Sequence, residues 1–168
     1  MNYGQVGSYA LVTATAWDAM WLAKHARHAD AAEWDASVEG GLTHLKAIVE
    51  ASREALTLKR PGRPEAYVMA GIGYPETDED LGKDKQPYLP VTWMLAAEGF
   101  LEREGLHLMQ NSKPYFEAFF KRHPVSECWS HVDNKLHHRW LEWMGYHLHS
   151  IGKWGWQDAT FHQYRMGA

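Results

Sequence analysis

The pattern of apolar and polar positions changes period several times along the chain. Short runs rich in β-branched and aromatic residues, bounded by Gly, Pro and polar residues, are typical of strands. Such runs occur over residues 9–13, 56–59, 66–72, 89–96, 126–132, 146–151 and 160–166. Between them, helical spacing of apolar residues predicts helices that begin near residues 16 and 43 and that cover 112–123 and 134–144. This order of elements is typical of a layered α/β domain.

Local signals predict the ends of the first two helices. Thr15, followed by Asp18 three residues later, has the form of a capping box. The first helix is expected to run through Lys24 into the polar stretch 25–33. Thr43 is expected to cap the second helix, because a hydroxyl at that position accepts from the free amides of the first turn.

The middle of the chain carries weaker signals. The acidic stretch 73–87 predicts a solvated loop that joins two strands, and Pro90 is expected at the start of the central strand. Residues 97–111 show no clean period. After them, Ser112 is expected to cap a helix with Pro114 in its first turn.

The segment 131–149 gives the clearest local prediction. Asn134 precedes a helix, and Gly145 supplies the left-handed residue that commonly follows the last turn. An apolar stripe at helical spacing lies between them, formed by Leu136, Trp140, Trp143 and Met144. We therefore expect a strand, a helix opened by Asn134 and closed by Gly145, and a further strand.

The length of 168 residues suits one domain that buries a core without metals or disulfides. We expect residues 1–168 to form a single α/β domain, with a mixed central sheet of about six or seven strands and helices on both faces.

Composition excludes several classes of protein. With 45% hydrophobic and 23% charged residues, the chain is typical of an ordinary globular protein, although nine Trp and eleven His are unusual. A formal net charge of −4 gives no electrostatic reason to expect nucleic acid. No stretch of eighteen apolar residues and no leader-like segment is found, so neither membrane insertion nor export is expected. The single Cys128, with apolar neighbours, predicts a buried thiol in a reducing compartment.

Two residue types leave alternatives open. Metal ligation and ordinary core or surface packing both fit the histidines on predicted strands, which are His131, His147, His149 and His162. No ligand-spacing motif accompanies them, so no metal is predicted. The tryptophans expected in the core are Trp17, Trp21, Trp93, Trp129, Trp140 and Trp143. Trp154 and Trp156 lie in a predicted loop, where they either anchor a protein interface or fold back over the sheet edge.

The order of elements and the segment 134–146 resemble the GNAT acyltransferase superfamily. That superfamily has Asn at the start of its last helix, then a small residue, a Tyr, and a Gly followed by an aromatic residue, at characteristic spacing. Asn134, Gly145 and Tyr146 match these positions, whereas His137 and Leu141 depart from them. The resemblance implies a GNAT-like fold.

The chain more closely resembles the small GNAT-like proteins of tailed phages, including the internal virion protein A family. The residues that carry this resemblance are Ala29, Asp30, Glu33, Gly41, Leu42, Thr43, the stretch 90–95, Trp129, His131, Val132, Asn134, His137, Arg139, Trp140, Leu141 and Gly145. This resemblance implies synthesis in the host cytoplasm, a place in or beside the virion, and protein partners that include other virion proteins.

GNAT enzymes hold the pyrophosphate of acetyl-CoA on backbone N–H groups at the start of the helix after the central strand, where the helix dipole attracts anions. The usual Q/R-x-x-G-x-G/A string does not follow Leu95, and Glu102 and Glu104 would repel a pyrophosphate. By resemblance, the candidate cofactor-binding residues are Leu95, Ala96, Arg103, Gly105, Ser112, Lys113 and Asn134. The expected cofactor is acetyl-CoA or none.

The superfamily's Tyr, often the general acid that reprotonates the CoA thiolate, corresponds to Leu141, which has no proton to donate. His137 or His138 could replace it, since an imidazole titrates in the required range. Glu98, at the end of the central strand, could act as a base toward an amine. The alternative for His137 is a helix residue that forms a hydrogen bond near the sheet.

Two functions follow from the resemblance. The favoured one is a virion-associated or assembly protein in which catalysis has lapsed. The other is an acetyl-CoA-dependent N-acetyltransferase that acts on a protein or a small amine. An enzyme would need a splayed gap beside the central strand and free backbone donors over residues 95–98. A lapsed enzyme could fill that gap with Met94, Phe100 or Met109.

Overall fold

The computed structural model describes residues 2–73 and 89–167. The predicted loop over residues 73–87 therefore lies outside the described residues, apart from Gly73. Within these two ranges the strands are β1 (Asn2–Val6), β2 (Tyr9–Thr13), β3 (Glu54–Lys59), β4 (Ala66–Gly73), β5 (Val91–Ala96), β6 (Ser126–His131), β7 (His147–Trp154) and β8 (Ala159–Met166). The helices are α1 (Ala16–His25), α2 (His28–Ser37), α3 (Leu45–Ala51), α4 (Phe100–Arg122) and α5 (Lys135–Met144), with a 3₁₀ turn over Gly41–His44.

The described strands form one mixed sheet in the order β1-β2-β3-β4-β5-β6-β8-β7. Neighbouring strands are antiparallel except β5 and β6, which are parallel. Two consecutive residues of β5 contact helical layers on opposite faces of the sheet. The Trp93 ring contacts Trp34 of α2, whereas the Thr92 hydroxyl bonds Tyr146, which follows α5. Helices thus cover both faces, and the predicted α/β architecture is confirmed.

All seven predicted strands are present, and β1 is an additional eighth strand in the described part of the chain. Its residues are mostly polar with Gly4 in the middle, so they give no apolar alternation, and the strand is held by antiparallel pairing with β2. The capping box is also confirmed. Thr15 Oγ1 accepts from Asp18 N at 3.2 Å, and Asp18 Oδ2 accepts from Thr15 N at 3.0 Å.

The first predicted helix is wrong in its length, because tertiary pairing interrupts it. Ala26 forms an isolated antiparallel bridge with Ala97, and Arg27 N donates to Ala96 O at 2.8 Å. These bonds hold the chain extended between α1 and α2. The contacts come from residues about seventy positions away, so no local pattern could reveal them.

Two predicted caps are also wrong. Thr43 lies inside the 3₁₀ turn, where its hydroxyl donates to Gly40 O at 2.6 Å, and α3 begins without a side-chain cap. Ser112 and Pro114 lie inside α4, which runs unbroken for 23 residues. Since tertiary packing stabilises helices more than propensity does, this long helix tolerates the hydrogen bond that Pro114 removes.

The tryptophans divide between core and surface. Trp140 is buried as predicted, but Trp17 is 46% exposed, with the Lys59 ammonium 5.5 Å from its ring centroid. Trp154 is the last residue of β7, and its ring stacks on Trp129 with centroids 5.2 Å apart. Of the two alternatives for this tryptophan, the structure shows the one in which it folds back over the sheet. Trp156, in the following turn, is 59% exposed.

The turn between β7 and β8 docks on the end of α2. Trp156 N donates to Ser37 O at 3.0 Å and Gln157 N donates to Ala36 O at 3.1 Å. Gly155 has φ of +79°, and a Cβ there would lie 2.6 Å from Ala36 O. Only glycine fits this close approach without strain.

Candidate functional site

β5 and β6 separate soon after they begin. Among the described residues their ladder has a single pair, Val91 with Glu127, and Thr92 Oγ1 donates to Glu127 O at 3.1 Å beside it. Beyond this point the strands diverge toward Ala96 and His131. The splayed gap that an enzyme would need is therefore present.

Three charged residues at a spacing of three enter this gap from α2 and the residue before it. Arg27, Asp30 and Glu33 are all less than a tenth exposed. Asp30 Oδ1 accepts from Arg27 Nη1 at 2.9 Å, and Asp30 Oδ2 accepts from Ala96 N at 2.9 Å. Asp30 thereby bonds both a buried cation and the end of β5.

Glu33 joins α2 to β6 and α5. Its Oε2 accepts from Ser130 Oγ and from His131 N, each at 2.8 Å, and from Asn134 Nδ2 at 3.1 Å. Its Oε1 lies 3.1 Å from His137 Nδ1. We call Arg27, Asp30, Glu33, Asn134 and His137 the cleft cluster.

Asn134 occupies the capping position of α5 without capping it. Its side chain makes no bond to the first turn, and Nδ2 instead donates to Asp30 Oδ1 at 3.2 Å and to Glu33. Within residues 2–73 and 89–167, its Oδ1 has no hydrogen-bond partner. The predicted start of the helix at Asn134 and its end at Gly145, with φ of +100°, are confirmed, but the Asn134 side chain does not cap the helix.

Burial and pairing set the charges of the cluster. Burial disfavours ionisation of both Glu33 and His137, but their attraction outweighs it, so the pKa of Glu33 lies below its ordinary value and that of His137 well above. Burial raises the pKa of Asp30 against the opposing pull of Arg27. Glu33 and His137 therefore form a buried carboxylate–imidazolium pair.

His138 is separated from this cluster, although it follows His137 in sequence. Its Nε2 lies 3.0 Å from His131 O, and its ring stacks on His162 with centroids 4.4 Å apart. Burial, and then His162, lower the pKa of His138. Of the two histidines considered as a replacement acid, only His137 lies in the gap.

The backbone donors at the end of β5 are largely taken. Ala96 N donates to Asp30, Ala97 N to Tyr67 O at 2.8 Å, and Glu98 N to His25 O at 2.7 Å. The Glu98 carboxylate is exposed and accepts from His28 N at 2.8 Å, outside the gap. These residues do not present the row of free amides that a pantetheine or pyrophosphate group would require.

Asp30 and Glu33 occupy the gap, and of the residues expected to fill it Met94 lies beside them. Phe100 packs instead against the rings of Tyr9 and Tyr67. A cavity of about 10 Å³ remains beside Leu95, Ala96 and His137.

The start of α4 lies beside the filled gap. Gly99 precedes it in the left-handed conformation, with no side-chain cap, and the Arg103 guanidinium lies against Gly99. Gly105 and Arg139 line a groove of about 340 Å³ between α4 and α5. Ser112 is buried and Lys113 exposed, and they lie about 14 and 15 Å beyond Arg103 along the helix, away from its start.

Two larger cavities flank the gap. One, of about 400 Å³, lies on the side of α2 and α3, and we call it the tryptophan cavity after its lining residues Trp34, Trp93, Trp129 and Trp154. The other, of about 100 Å³, lies under α4 and α5. Cys128 and His137 line both cavities, which places them where the two meet.

Leu141 is buried on α5 and offers no proton, as predicted. Tyr146 is held between strands: its hydroxyl lies 2.7 Å from Ser126 Oγ and 2.9 Å from Thr92 Oγ1. Burial raises its pKa far above the ordinary value for tyrosine. The hydroxyl serves as a bridge between β5 and β6 in this structure.

In the described part of the chain, no group of three or more His, Cys, Asp or Glu side chains is placed to hold a metal ion. None of the helices described there is both long and apolar enough to span a membrane.

Comparisons with known proteins give structural matches only. No protein-family model and no curated protein matches the sequence. A protein from Bordetella pertussis described as a GNAT-family acetyltransferase superposes with a TM-score of 0.65 at 14% identity over 99% of both chains. The aminoglycoside acetyltransferase AAC(6')-Ib, in complex with ribostamycin and coenzyme A, matches with a TM-score of 0.64 at 14% identity over 95% of this chain and 93% of its own. A GNAT-family acetyltransferase from Bacillus anthracis gives 0.59 at 10% identity over 99% and 98%. The chain therefore has the GNAT fold.

The structure thus brings Ala96, Asn134 and His137 of the candidate residues together, and it separates Glu98, His138, Ser112 and Lys113 from them. Sequence reasoning missed Arg27, Asp30 and Glu33 as site residues. Their signal was present as three charges spaced by three through an alanine-rich helix, which places them on one face.

Proposed function

We propose that this chain is a GNAT-fold protein in which acetyl transfer has lapsed, and that it acts as a binding component of a phage virion or of its assembly. The observation that carries the proposal is the cleft cluster. Asp30 and Glu33 occupy the gap between β5 and β6, and Asp30 takes the Ala96 amide that faces it.

Charge supports this proposal. The two cations in the gap, Arg27 and His137, are already paired with Asp30 and Glu33, so they are not free to bind a pyrophosphate. Glu102 and Glu104 add negative charge near the start of α4. Leu141 replaces the usual general acid, and Tyr146 is engaged as a bridge. The residues present therefore do not fit acetyl-CoA in the manner of the superfamily.

The phage part of the proposal rests on the resemblance of sequence. Asp30, Glu33, Asn134 and His137 all belong to that resemblance, and all belong to the cleft cluster. The shared pattern therefore corresponds to the residues that close the gap, which favours a structural role for them.

Calorimetry with acetyl-CoA tests the lapse of catalysis. We expect no heat of binding up to about 1 mM ligand, where a weak site would already be half filled. The aminoglycoside acetyltransferase, which crystallises with coenzyme A, is the positive control under the same conditions. A micromolar dissociation constant for this chain would overturn the proposal.

Mass spectrometry of purified particles tests the virion role. The chain should be present at several copies in particles of the phage that encodes it, after stringent washing. Its complete absence from particles and from assembly intermediates would contradict this part of the proposal.

An acetyl-CoA-dependent N-acetyltransferase acting on a protein or small amine is the second candidate, and the start of α4 favours it. Gly99 leaves the first turn without a side-chain cap, beside Arg103 and the groove lined by Arg139. Uncapped amides at a helix start attract anions. Micromolar binding that is weakened about tenfold by Arg103→Ala, but not by Lys113→Ala further along α4, would support this candidate.

A further inference from the structure

Two polar atoms of the cleft cluster, Asn134 Oδ1 and His137 Nε2, have no hydrogen-bond partner among the described residues, and the second lines a cavity. His137 Nδ1 bonds Glu33 Oε1 and Ser130 Oγ, each at 3.1 Å, but within the described residues Nε2 has no hydrogen-bond partner. The His137 side chain is only 4% exposed. A buried polar group left unpaired costs free energy, and the ring that carries it lines the tryptophan cavity.

The charge of Glu33 decides what Nε2 can bind. Nδ1 faces the Glu33 carboxylate at 3.1 Å and donates to it. Despite the burial of the ring, Glu33, with a smaller contribution from the neighbouring Cys128, raises the pKa of His137 and so favours the imidazolium, in which Nε2 also carries hydrogen and donates. The cluster contains two cations, Arg27 and His137, and two acids, Asp30 and Glu33. A carboxylate ligand would add an uncompensated buried charge, whereas a neutral carbonyl oxygen accepts without one.

The cavity walls indicate what kind of molecule carries this carbonyl oxygen. Trp34 and Trp93 meet edge to face with centroids 6.0 Å apart, and Trp129 stacks on Trp154. Ile48 and Val91 add apolar surface. The polar residues that also line the cavity, Glu33, Ser37, Ser52 and Thr92, are hydrogen-bonded within the protein. Flat aromatic walls beside an unpartnered polar group are typical of sites for ring-bearing small molecules, and about 400 Å³ suits such a ligand.

We infer that the tryptophan cavity binds a neutral, ring-bearing carbonyl compound, whose ring packs on the tryptophans and whose oxygen accepts from His137 Nε2. This site goes beyond the proposed function, because a virion component in which acetyl transfer has lapsed requires no ring-bearing carbonyl ligand there.

A matched pair of probes tests the inference on the full chain. Acetophenone and ethylbenzene share a ring and differ in the carbonyl oxygen. In ¹⁵N NMR titrations, acetophenone should shift the indole signals of Trp93 and Trp154 and the His137 Nε2–H signal saturably. Its dissociation constant should be about tenfold lower than that of ethylbenzene, as expected for one hydrogen bond to a charged donor.

Two variants locate the binding. Ala51→Phe, which places a ring at the mouth of the cavity, should abolish binding of both probes, whereas Ala118→Phe on the exposed side of α4 should leave it unchanged. In His137→Gln the amide can bond Glu33 or the ligand but not both, so the preference for acetophenone should disappear. The Ala51 variant leaves the cleft cluster intact, so the test survives if His137→Gln fails to fold.

Equal affinity for the two probes, no saturable shift within their solubility, or an unchanged preference in His137→Gln would each overturn the inference. Acetyl-CoA is absent from all of these titrations. Their failure is therefore distinct from a failure of the proposed function.

Discussion

Asn134 stands directly before α5, and its amide donates to Asp30 and Glu33 rather than to the helix. A capping role and this bridging role predict different effects of substitution. Asp is as good a capping residue as Asn, so a cap would tolerate Asn134→Asp.

We expect Asn134→Asp to lower the free energy of unfolding by about 3 kcal/mol, because it adds a third buried carboxylate to two. Asn134→Ala should cost about 2 kcal/mol, since it removes two charge-assisted hydrogen bonds. Urea denaturation measures both values. An Asn134→Asp variant as stable as the wild type would show that capping is the role of this residue.

The adjacent histidines of α5 should titrate in opposite directions. Glu33 raises the pKa of His137 despite its burial, whereas burial and His162 lower the pKa of His138. At a pH equal to the ordinary histidine pKa of about 6.5, NMR of the imidazole nitrogens should find His137 mostly protonated and His138 mostly neutral. Glu33→Gln removes the largest influence that raises the pKa of His137 while burial still opposes ionisation, so the pKa of His137 should fall.

These two pKa shifts make the free energy of unfolding depend on pH. Because the folded pKa of His137 is raised, its contribution is complete below the unfolded value of about 6.5 and is lost as pH rises through the folded value. The contribution of His138, whose folded pKa is lowered, is present above about pH 6.5 and is lost as pH falls through its folded value. Deprotonation of His137 below pH 6.5 would contradict the pairing with Glu33.

At the scale of elements, the turn between β7 and β8 depends on one glycine. Gly155→Ala should lower the free energy of unfolding by about 2 kcal/mol, because its φ is positive and its Cβ would meet the backbone of α2. Gly152→Ala, in the same hairpin, is the matched control, since a Cβ there meets nothing within 4 Å. Thermal unfolding that is equal in the two variants would show that the turn does not dock on α2 in solution.

Elements whose ends depend on nearby residues were predictable. The Thr15 and Asp18 capping box and the left-handed Gly145 act over a few residues, and both are found as expected. The length of α4 was not predictable, because Ser112 and Pro114 are local start signals that packing along the whole helix overrides.

At the scale of the whole molecule, the sheet divides into two parts between β5 and β6, because a single residue pair connects these strands in the described part of the chain. Tyr146 reinforces this connection. Thr92 Oγ1 donates to Glu127 O, so the Tyr146 hydroxyl donates to Thr92 and accepts from Ser126.

Tyr146→Phe should therefore cost about 1–2 kcal/mol and should speed hydrogen exchange in β5 and β6 more than in β2 and β3. Tyr164→Phe is the matched control, because its hydroxyl makes one long bond of 3.3 Å to Glu142, and we expect a change below about 0.5 kcal/mol. Equal effects of the two substitutions would show that the Tyr146 hydroxyl does not link the two parts of the sheet.

The sequence by itself determined the alternation of strands and helices, the start of α1, both ends of α5, the single α/β domain and the lack of a proton donor at Leu141, because each depends on side chains close in the chain. Only the tertiary structure decided that Asp30 and Glu33 meet Asn134 and His137. These residues lie about one hundred positions apart, and no local period connects them. Once these four side chains are buried beside one another, their surroundings set their charge states and their hydrogen bonds, so both depend on the fold.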